Sequence, residues 1–322
     1  MAIAEREPVG RGLRGSGHAG DKVFQGVTLT FALVVILAAA IIVFSLIKQS
    51  WPALTTTGFG VLGGQHWNPN NNIFGAIPFI YGTFVTSLLA LLIAGIVGVM
   101  VAIFLIELAP PVIARPVSFL VEMLAAVPSI IFGLWGIYVL IPIIGPVELW
   151  LNKHLGFIPL FGGDNVSGRS LFTASIILMI MILPTITALS RDVMAAVPGS
   201  QREGMLALGA TRWETVRHVI IPYARAGIIG ALILGLGRAV GETMAVTMVV
   251  GNTPNIGSLL QGGYSLAAVL ANESGEAFGQ PLYIGALFEL GLLLLLISVL
   301  LNTLARLLVW RVNRDGSATV RG

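Results

Sequence analysis

Apolar residues fall in six long blocks separated by shorter, more polar connections, at 24–47, 83–108, 116–144, 171–189, 226–250 and 283–310. A bilayer core of roughly 30 Å takes about 20 apolar residues in helical form, because backbone N–H and C=O groups cannot be left unpaired in lipid. The pattern therefore predicts an all-α integral membrane protein with six transmembrane helices. The first block is too long and starts too late for a cleaved signal, and no small-residue cleavage site follows it, so a retained helix is expected.

Composition agrees. The 322 residues include only 18 Lys and Arg and 15 Asp and Glu, 10% charged against 56% hydrophobic. So few charges cannot cover a water-soluble surface of this size. The basic residues lie between apolar blocks rather than on one soluble element, which excludes a nucleic-acid partner. With no cysteine there is no disulfide frame, thiol nucleophile or thiolate metal site. A P-loop needs Gly directly before its Lys, whereas the three lysines follow Asp21, Ile47 and Asn152, so the chain binds no ATP of its own.

The positions of the charges set the orientation. Counting alternate connections puts 14 basic residues on one side, among them Lys22, Arg115, Arg191, Arg202, Arg212 and Arg217, against Lys48, Lys153 and Arg169 on the other. Both termini are therefore expected in the cytoplasm. The expected organisation is a cytoplasmic tail 1–23, a first helix 24–47, an external loop 48–82, a transmembrane domain 83–310 with a cytoplasmic loop 190–218, and a tail 311–322. The external stretch 51–82, with Trp67, Pro69 and Asn70 to Asn72, predicts turns and a re-entry rather than a folded domain. The stretch 252–281 holds Glu273 and Glu276 without a basic residue. Both are connectors or receive an external partner.

The cytoplasmic loop has the sharpest local pattern. Ser200 to Glu203 and Thr211 to Glu214 both match the capping box, in which a hydroxyl and a Glu three residues on satisfy each other's free backbone donors. Gly209 falls where a helix end favours positive φ. Pro198 and Gly199 precede and Pro222 follows, so the expectation is a short helix, a tight turn and a second short helix. Met205, Leu206, Leu208 and Trp213 supply apolar anchors and Arg202, Arg212 and Arg217 a basic rim, which suits a docking surface. The same features also suit a helix lying on the lipid surface.

Buried charges are the other candidates. Arg238 falls mid-way along the fifth block, where insertion costs about 2.5–3.5 kcal/mol. Glu242, four residues on, would share its helical face and pair with it. Glu122 and Glu289 are further intramembrane acids, for gating or helix pairing, and Glu107 is expected near an interface. Ala90, Ala94, Gly98 and Ala102, and Gly237 with Gly241, predict close helix contacts. Pro128 and Pro184 are expected to kink the third and fourth helices. No His spacing suggests a metal site.

The loop resembles a known one. Glu203, Gly209 six residues on, and Val219-Ile220-Ile221-Pro222 after nine more follow the spacing of the EAA loop of ABC-importer permeases, with Gly204 and Met205 in place of its two alanines. The segments Phe74 to Thr83, Ala125 to Gly136 and Gly237 to Ala245 narrow the likeness to the PstC family, the permease subunits of bacterial phosphate importers, over nearly the whole chain. The resemblance implies a type I permease fold in the bacterial cytoplasmic membrane. The loop would then be a coupling helix fitted to an ATPase, with Glu203, Met205, Leu206, Leu208, Gly209 and Arg212 at the contact. It also implies a homologous PstA-type permease, a PstB-type ATPase dimer holding ATP and Mg, and a PstS-type external phosphate-binding protein. Arg238 would then meet the oxyanion in transit, with Glu242 competing for it so that binding stays weak enough to release. One Arg and one Glu do not define phosphate, so another oxyanion or small solute stays open. A secondary transporter or channel would leave the capped loop without a role. A membrane enzyme is disfavoured because no catalytic cluster lies in the spans.

Overall fold

In the computed structural model the described residues are 17–56, 58, 60–164 and 166–318, with side chains described from 20 to 311. The helices are α1 (Gly17–Thr56), α2 (Gly60–Gly63), α3 (Ile77–Ile103), α4 (Pro111–Ala125), α5 (Ser129–Trp135), α6 (Ile141–Leu155), α7 (Leu171–Ala195), α8 (Gly199–Ala207), α9 (Arg212–Thr215), α10 (Ile221–Val240), α11 (Met244–Val249), α12 (Leu266–Glu273) and α13 (Pro281–Ala318). Six stretches are long and apolar enough to cross a membrane, at Gly20–Thr56, Ile77–Leu108, Ser129–Leu155, Leu171–Ala195, Arg212–Val240 and Pro281–Arg311. The chain divides into two compact units, Met1–Lys48 and Gln49–Gly322. Within the described part of the first, apolar side chains such as Phe24, Phe31 and Ile36 are exposed along the helix, as a lipid-facing span requires. Arg6, Arg11 and Arg14 lie outside the described residues.

Span four, α7, is the buried axis of the second unit, and it packs most extensively against α3 and then α10. The small residues Ala90, Ala94, Gly98 and Ala102 are all buried on α3, as their spacing predicts. A side chain at Gly98 would meet Ile186 and Thr187 of α7 at 3.1 Å. The same expectation fails for Gly237, where a side chain would point into open space. Pro184 is buried inside α7, which runs unbroken past it.

Three prolines each follow a wide helical turn. At Phe104–Leu108, Gly136–Leu140 and Val216–Ile220 the helix opens to a π turn in which Ala109, Ile141 and Ile221 donate to the carbonyls five residues back. Each donor directly precedes Pro110, Pro142 or Pro222. A proline ring clashes with the carbonyl four residues back; the extra residue relieves that clash at Pro142 and Pro222, where the helix runs on, whereas before Pro110 the helix ends, with Ala109 at ψ 130°. Pro222 therefore does not end a short helix as expected. α9, the π turn and α10 run on as one span.

Two expected spans are divided. The stretch 116–144 is split at Pro128, which has φ −58° and ψ 139° and starts α5, so α4 is a separate amphipathic helix with no buried residue. Pro128 breaks the helix rather than kinking it, because the residue before a proline disfavours helical backbone. The stretch 226–250 is split at Gly241, the C-cap of α10, before α11 begins at Met244.

At the end of the bundle away from α8 the connections do more than turn. Asn68 and Ile73 exchange both backbone hydrogen bonds around Asn72, whose φ is 53°. Trp67 packs edge-on to Phe74 and Phe79, with Tyr264 and Tyr283 completing an aromatic cluster. Glu273 accepts hydrogen bonds from Trp67 Nε1 at 2.7 Å and Tyr283 Oη at 2.6 Å. Burial nevertheless holds its carboxyl above the usual carboxylate range and pushes the Tyr264 phenol up to about 12. The expected turn forms at Asn68–Ile73, and the connections also enclose a core of their own. The apolar faces of the loop and of α12 bury each other.

Glu148, beyond the expected third span, is fully buried in α6. Its Oε1 accepts from the Ser170 hydroxyl and from Thr173 Oγ1 at 2.9 Å, while Ser170 Oγ caps the Thr173 N–H of α7. One carboxylate thereby ties the third span to the start of the fourth.

Three substitutions test this packing. A β-carbon at Gly82 would lie 2.1 Å from the Tyr264 carbonyl oxygen, whereas one at Gly230 in α10 meets nothing within 4 Å. Gly82→Ala is expected to destabilise the chain by about 1–3 kcal/mol, and Gly230→Ala to leave it unchanged or slightly more stable. Thermal unfolding in detergent checks the pair. Trp67→Phe leaves Glu273 short of one donor and is expected to cost about 1–3 kcal/mol in the same assay.

Candidate functional site

The loop after α7 forms a helix–turn–helix held by its own backbone. In α8 the N-cap is Pro198 and no side-chain cap forms, so the expected Ser200–Glu203 capping box is absent. The helix starts at Gly199, which places Ser200 inside the first turn, where its hydroxyl no longer faces the free donors. The exit from α8 follows the sequence. Gly209 has φ +87°, its N–H donates to Leu206 O at 3.0 Å, and the Ala210 N–H donates to Met205 O at 3.1 Å. This is a Schellman end, and a residue with a β-carbon is strained there.

The second capping box forms as expected. Thr211 N–H donates to Glu214 Oε2 at 2.7 Å, its hydroxyl donates to the same oxygen at 2.8 Å, and Glu214 N–H donates back to Thr211 Oγ1 at 3.3 Å. The reciprocal bonds fix the direction in which α9 leaves the turn. On this frame Leu206, Leu208 and Trp213 are exposed, Leu208 to 85%, and Met205 is half-buried. Glu203 is exposed on α8.

Glu107 suspends the loop from the second span. Its Oε1 lies 2.9 Å from Arg202 Nη1 as an ion pair, and its backbone carbonyl accepts from Arg212 Nη1 at 3.1 Å. Arg202 Nη2 also donates to Met194 O, near the end of α7, at 2.6 Å. Two of the expected rim arginines are therefore tied to the second span, Arg202 half-buried and Arg212 still exposed, beside the exposed leucines and Trp213. The sequence hint was a lone acid at the end of an apolar block, facing a loop with five arginines.

The second group of candidates lies at the break after α10. Arg238 is half-buried in the last turn and its Nη1 donates to Thr185 Oγ1 at 3.2 Å. Thr185 is near the middle of α7, which puts the guanidinium level with the centre of the fourth span. The expected depth therefore stands while the expected pairing does not. Because α10 stops at Gly241, Glu242 is off the helical face of Arg238, and its Oε1 accepts instead from the Ala245 N–H at 3.2 Å. Among the described residues no ion pair joins the two.

The two further acids also differ from expectation. Glu122 is not in a span. It lies half-exposed on α4 and pairs with Arg191 Nη2 at 2.9 Å. Glu289 is buried to 4% exposure in α13 with neither carboxyl oxygen hydrogen-bonded among the described residues, so it is not the satisfied acid that helix pairing would give.

Comparison with known proteins places this arrangement. The family described as binding-protein-dependent transport system inner membrane component matches residues 94–314. The phosphate transport system permease proteins PstC of Pasteurella multocida and Haemophilus influenzae are 42% and 43% identical to it, covering 92% and 91% of this chain and 94% of each relative. PstC 2 of Mycobacterium tuberculosis is 39% identical over 89% of this chain and 91% of its own. Among solved structures, the inward-facing MetNI methionine ABC transporter matches 73% of this chain and 95% of its own, with TM-score 0.52 at 20% identity. A bacterial ABC transporter for the import of alginate matches 88% and 98%, with TM-score 0.51 at 15% identity. These two show a shared fold, that of an importer permease. With the family matched over most of its length, from mid-α3 through the α8–α9 turn to α13, the chain belongs to the binding-protein-dependent transport system inner membrane components.

Proposed function

We propose that this chain is a permease subunit of an ATP-driven importer of inorganic phosphate, and that the α8–α9 turn is where an ATPase subunit docks. The observation that supports docking most strongly is the exposure of Leu206, Leu208 and Trp213 on a turn whose Gly209, Ala210 and Thr211 N–H groups are all bonded and which Arg202 and Arg212 tie to Glu107. Exposed apolar residues on a rigid frame are ready to bury against a partner without an ordering cost. ATP and Mg would then sit on the ATPase, with a homologous PstA-type permease and an external PstS-type binding protein completing the complex. The turn faces the cytoplasm in this reading, as the excess of Lys and Arg on its side favours, and both termini lie there with it.

Phosphate rests on the names of the relatives together with Arg238. A guanidinium at mid-membrane whose one polar contact among the described residues is a threonine hydroxyl keeps most of its donors for an oxyanion. Glu242, engaged on the Ala245 N–H, leaves Arg238 open to the anion rather than neutralised by a partner.

Two variants separate the parts. Leu208→Asp, in membranes holding the full complex, is expected to abolish co-purification of the ATPase while the permease still accumulates; unimpaired co-purification would count against docking at this turn. Arg238→Gln is expected to lower phosphate uptake by roughly 10- to 100-fold, the worth of a charged hydrogen bond in a dry site, with assembly intact. Uptake measured against competing sulfate and molybdate identifies the anion, and transport undiminished by the substitution would refute its role.

A further inference from the structure

The chain contains one backbone joint twice. Glu122-Met123-Leu124-Ala125-Ala126-Val127-Pro128-Ser129 and Asp192-Val193-Met194-Ala195-Ala196-Val197-Pro198-Gly199 share an acid, then Ala-Ala-Val-Pro three residues on. The structure builds the two alike. The Ala126 and Ala196 C-caps have φ/ψ of −85/−9° and −72/−7°, and Pro128 and Pro198 have −58/139° and −56/133°. Val127 and Val197 donate to the carbonyls three residues back at 3.3 and 3.2 Å, and each proline carbonyl accepts the first bond of the next helix, from Ile131 at 3.0 Å and Gln201 at 3.1 Å. The cause is common to both: the residue before a proline leaves helical space, and the proline then starts a new helix. One joint feeds α5 and the third span. The other feeds α8.

A single guanidinium holds the acids of both joints. Arg191 Nη2 lies 2.9 Å from Glu122 Oε1 and 2.9 Å from Asp192 Oδ1, and its Nε donates to the same Asp192 oxygen at 3.1 Å. The three side chains are partly exposed, and such pairs contribute little to the stability of a fixed structure. A modest bias between two arrangements is nonetheless enough to shift a conformational equilibrium. We propose that Arg191 is a positioning residue that ties the two joints together, so that displacement of α8 by its partner is passed to the third span rather than absorbed at Pro198. The proposal rests on the reading of α8–α9 as the ATPase docking site.

The test uses the complete importer in proteoliposomes with its external binding protein, and measures phosphate moved per ATP hydrolysed alongside ATPase co-purification. Arg191→Gln is expected to retain the ATPase and its hydrolysis but lower that ratio roughly fivefold or more, the range of ordinary coupling between sites. The double variant Arg191→Glu with Glu122→Arg, which reverses the pair, is expected to return the ratio to within about twofold of the parent, a rescue that loss of packing alone would not give. An unchanged ratio in Arg191→Gln, loss of ATPase association in that variant, or a double variant no better than the single one would overturn the proposal. Leu208→Asp, measured in parallel, reports on docking alone, so failure of the docking reading is seen separately.

Discussion

A helix that loses a backbone hydrogen bond inside a bilayer has no water to replace it, and this constraint governs where the helices of this chain widen, stop and restart. Pro142 and Pro222 are absorbed by π turns that keep their spans continuous, and the π turn before Pro110 closes the second span. The breaks at Pro128 and Pro198 fall beside the charged groups Glu122, Arg191 and Asp192 at the α8 end, where polar partners are at hand. The break at Gly241 lies deeper, and there the Glu242 carboxylate accepts a free N–H at the start of α11. At these three breaks the irregular backbone lies beside polar side chains of the chain itself.

The bundle is built around a buried centre, with each end held by its own contacts. α7, pinned to the third span through Glu148 and packed on α3 through small residues, is the element against which others are held. At one end an aromatic cluster around Trp67 closes the connections over the bundle. At the other, α8 and α9 hang from Glu107 and Met194 through two arginines and present leucines and a tryptophan outward. Arg238 sits between these ends, level with the centre of α7.

The sequence made the apolar blocks, the sidedness of the arginines, the Gly209 turn and the Thr211–Glu214 box legible, because each rests on interactions among residues a few positions apart. Long-range events were not. Nothing local tells that Glu107 meets Arg202 and Arg212 about a hundred residues away, or that Glu148 is buried against Ser170 and Thr173. The breaks at Pro128 and Gly241 were hidden by hydropathy, which does not distinguish one continuous helix from two packed end to end. For the same reason Glu122 read as a buried acid and Arg238 and Glu242 as one turn apart. The true pattern at Pro128 was present as a repeated Ala-Ala-Val-Pro, a signal that periodicity does not register.

The most direct measurement places a photo-crosslinking amino acid at position 208 of the permease in the assembled importer, with positions 213 and 112 in parallel. Val112 on α4 is as exposed as Leu208 but lies off the α8–α9 turn. Docking at the turn requires adducts to the ATPase from 208 and 213 and none from 112. Adducts absent at 208, or formed equally well from 112, would contradict it.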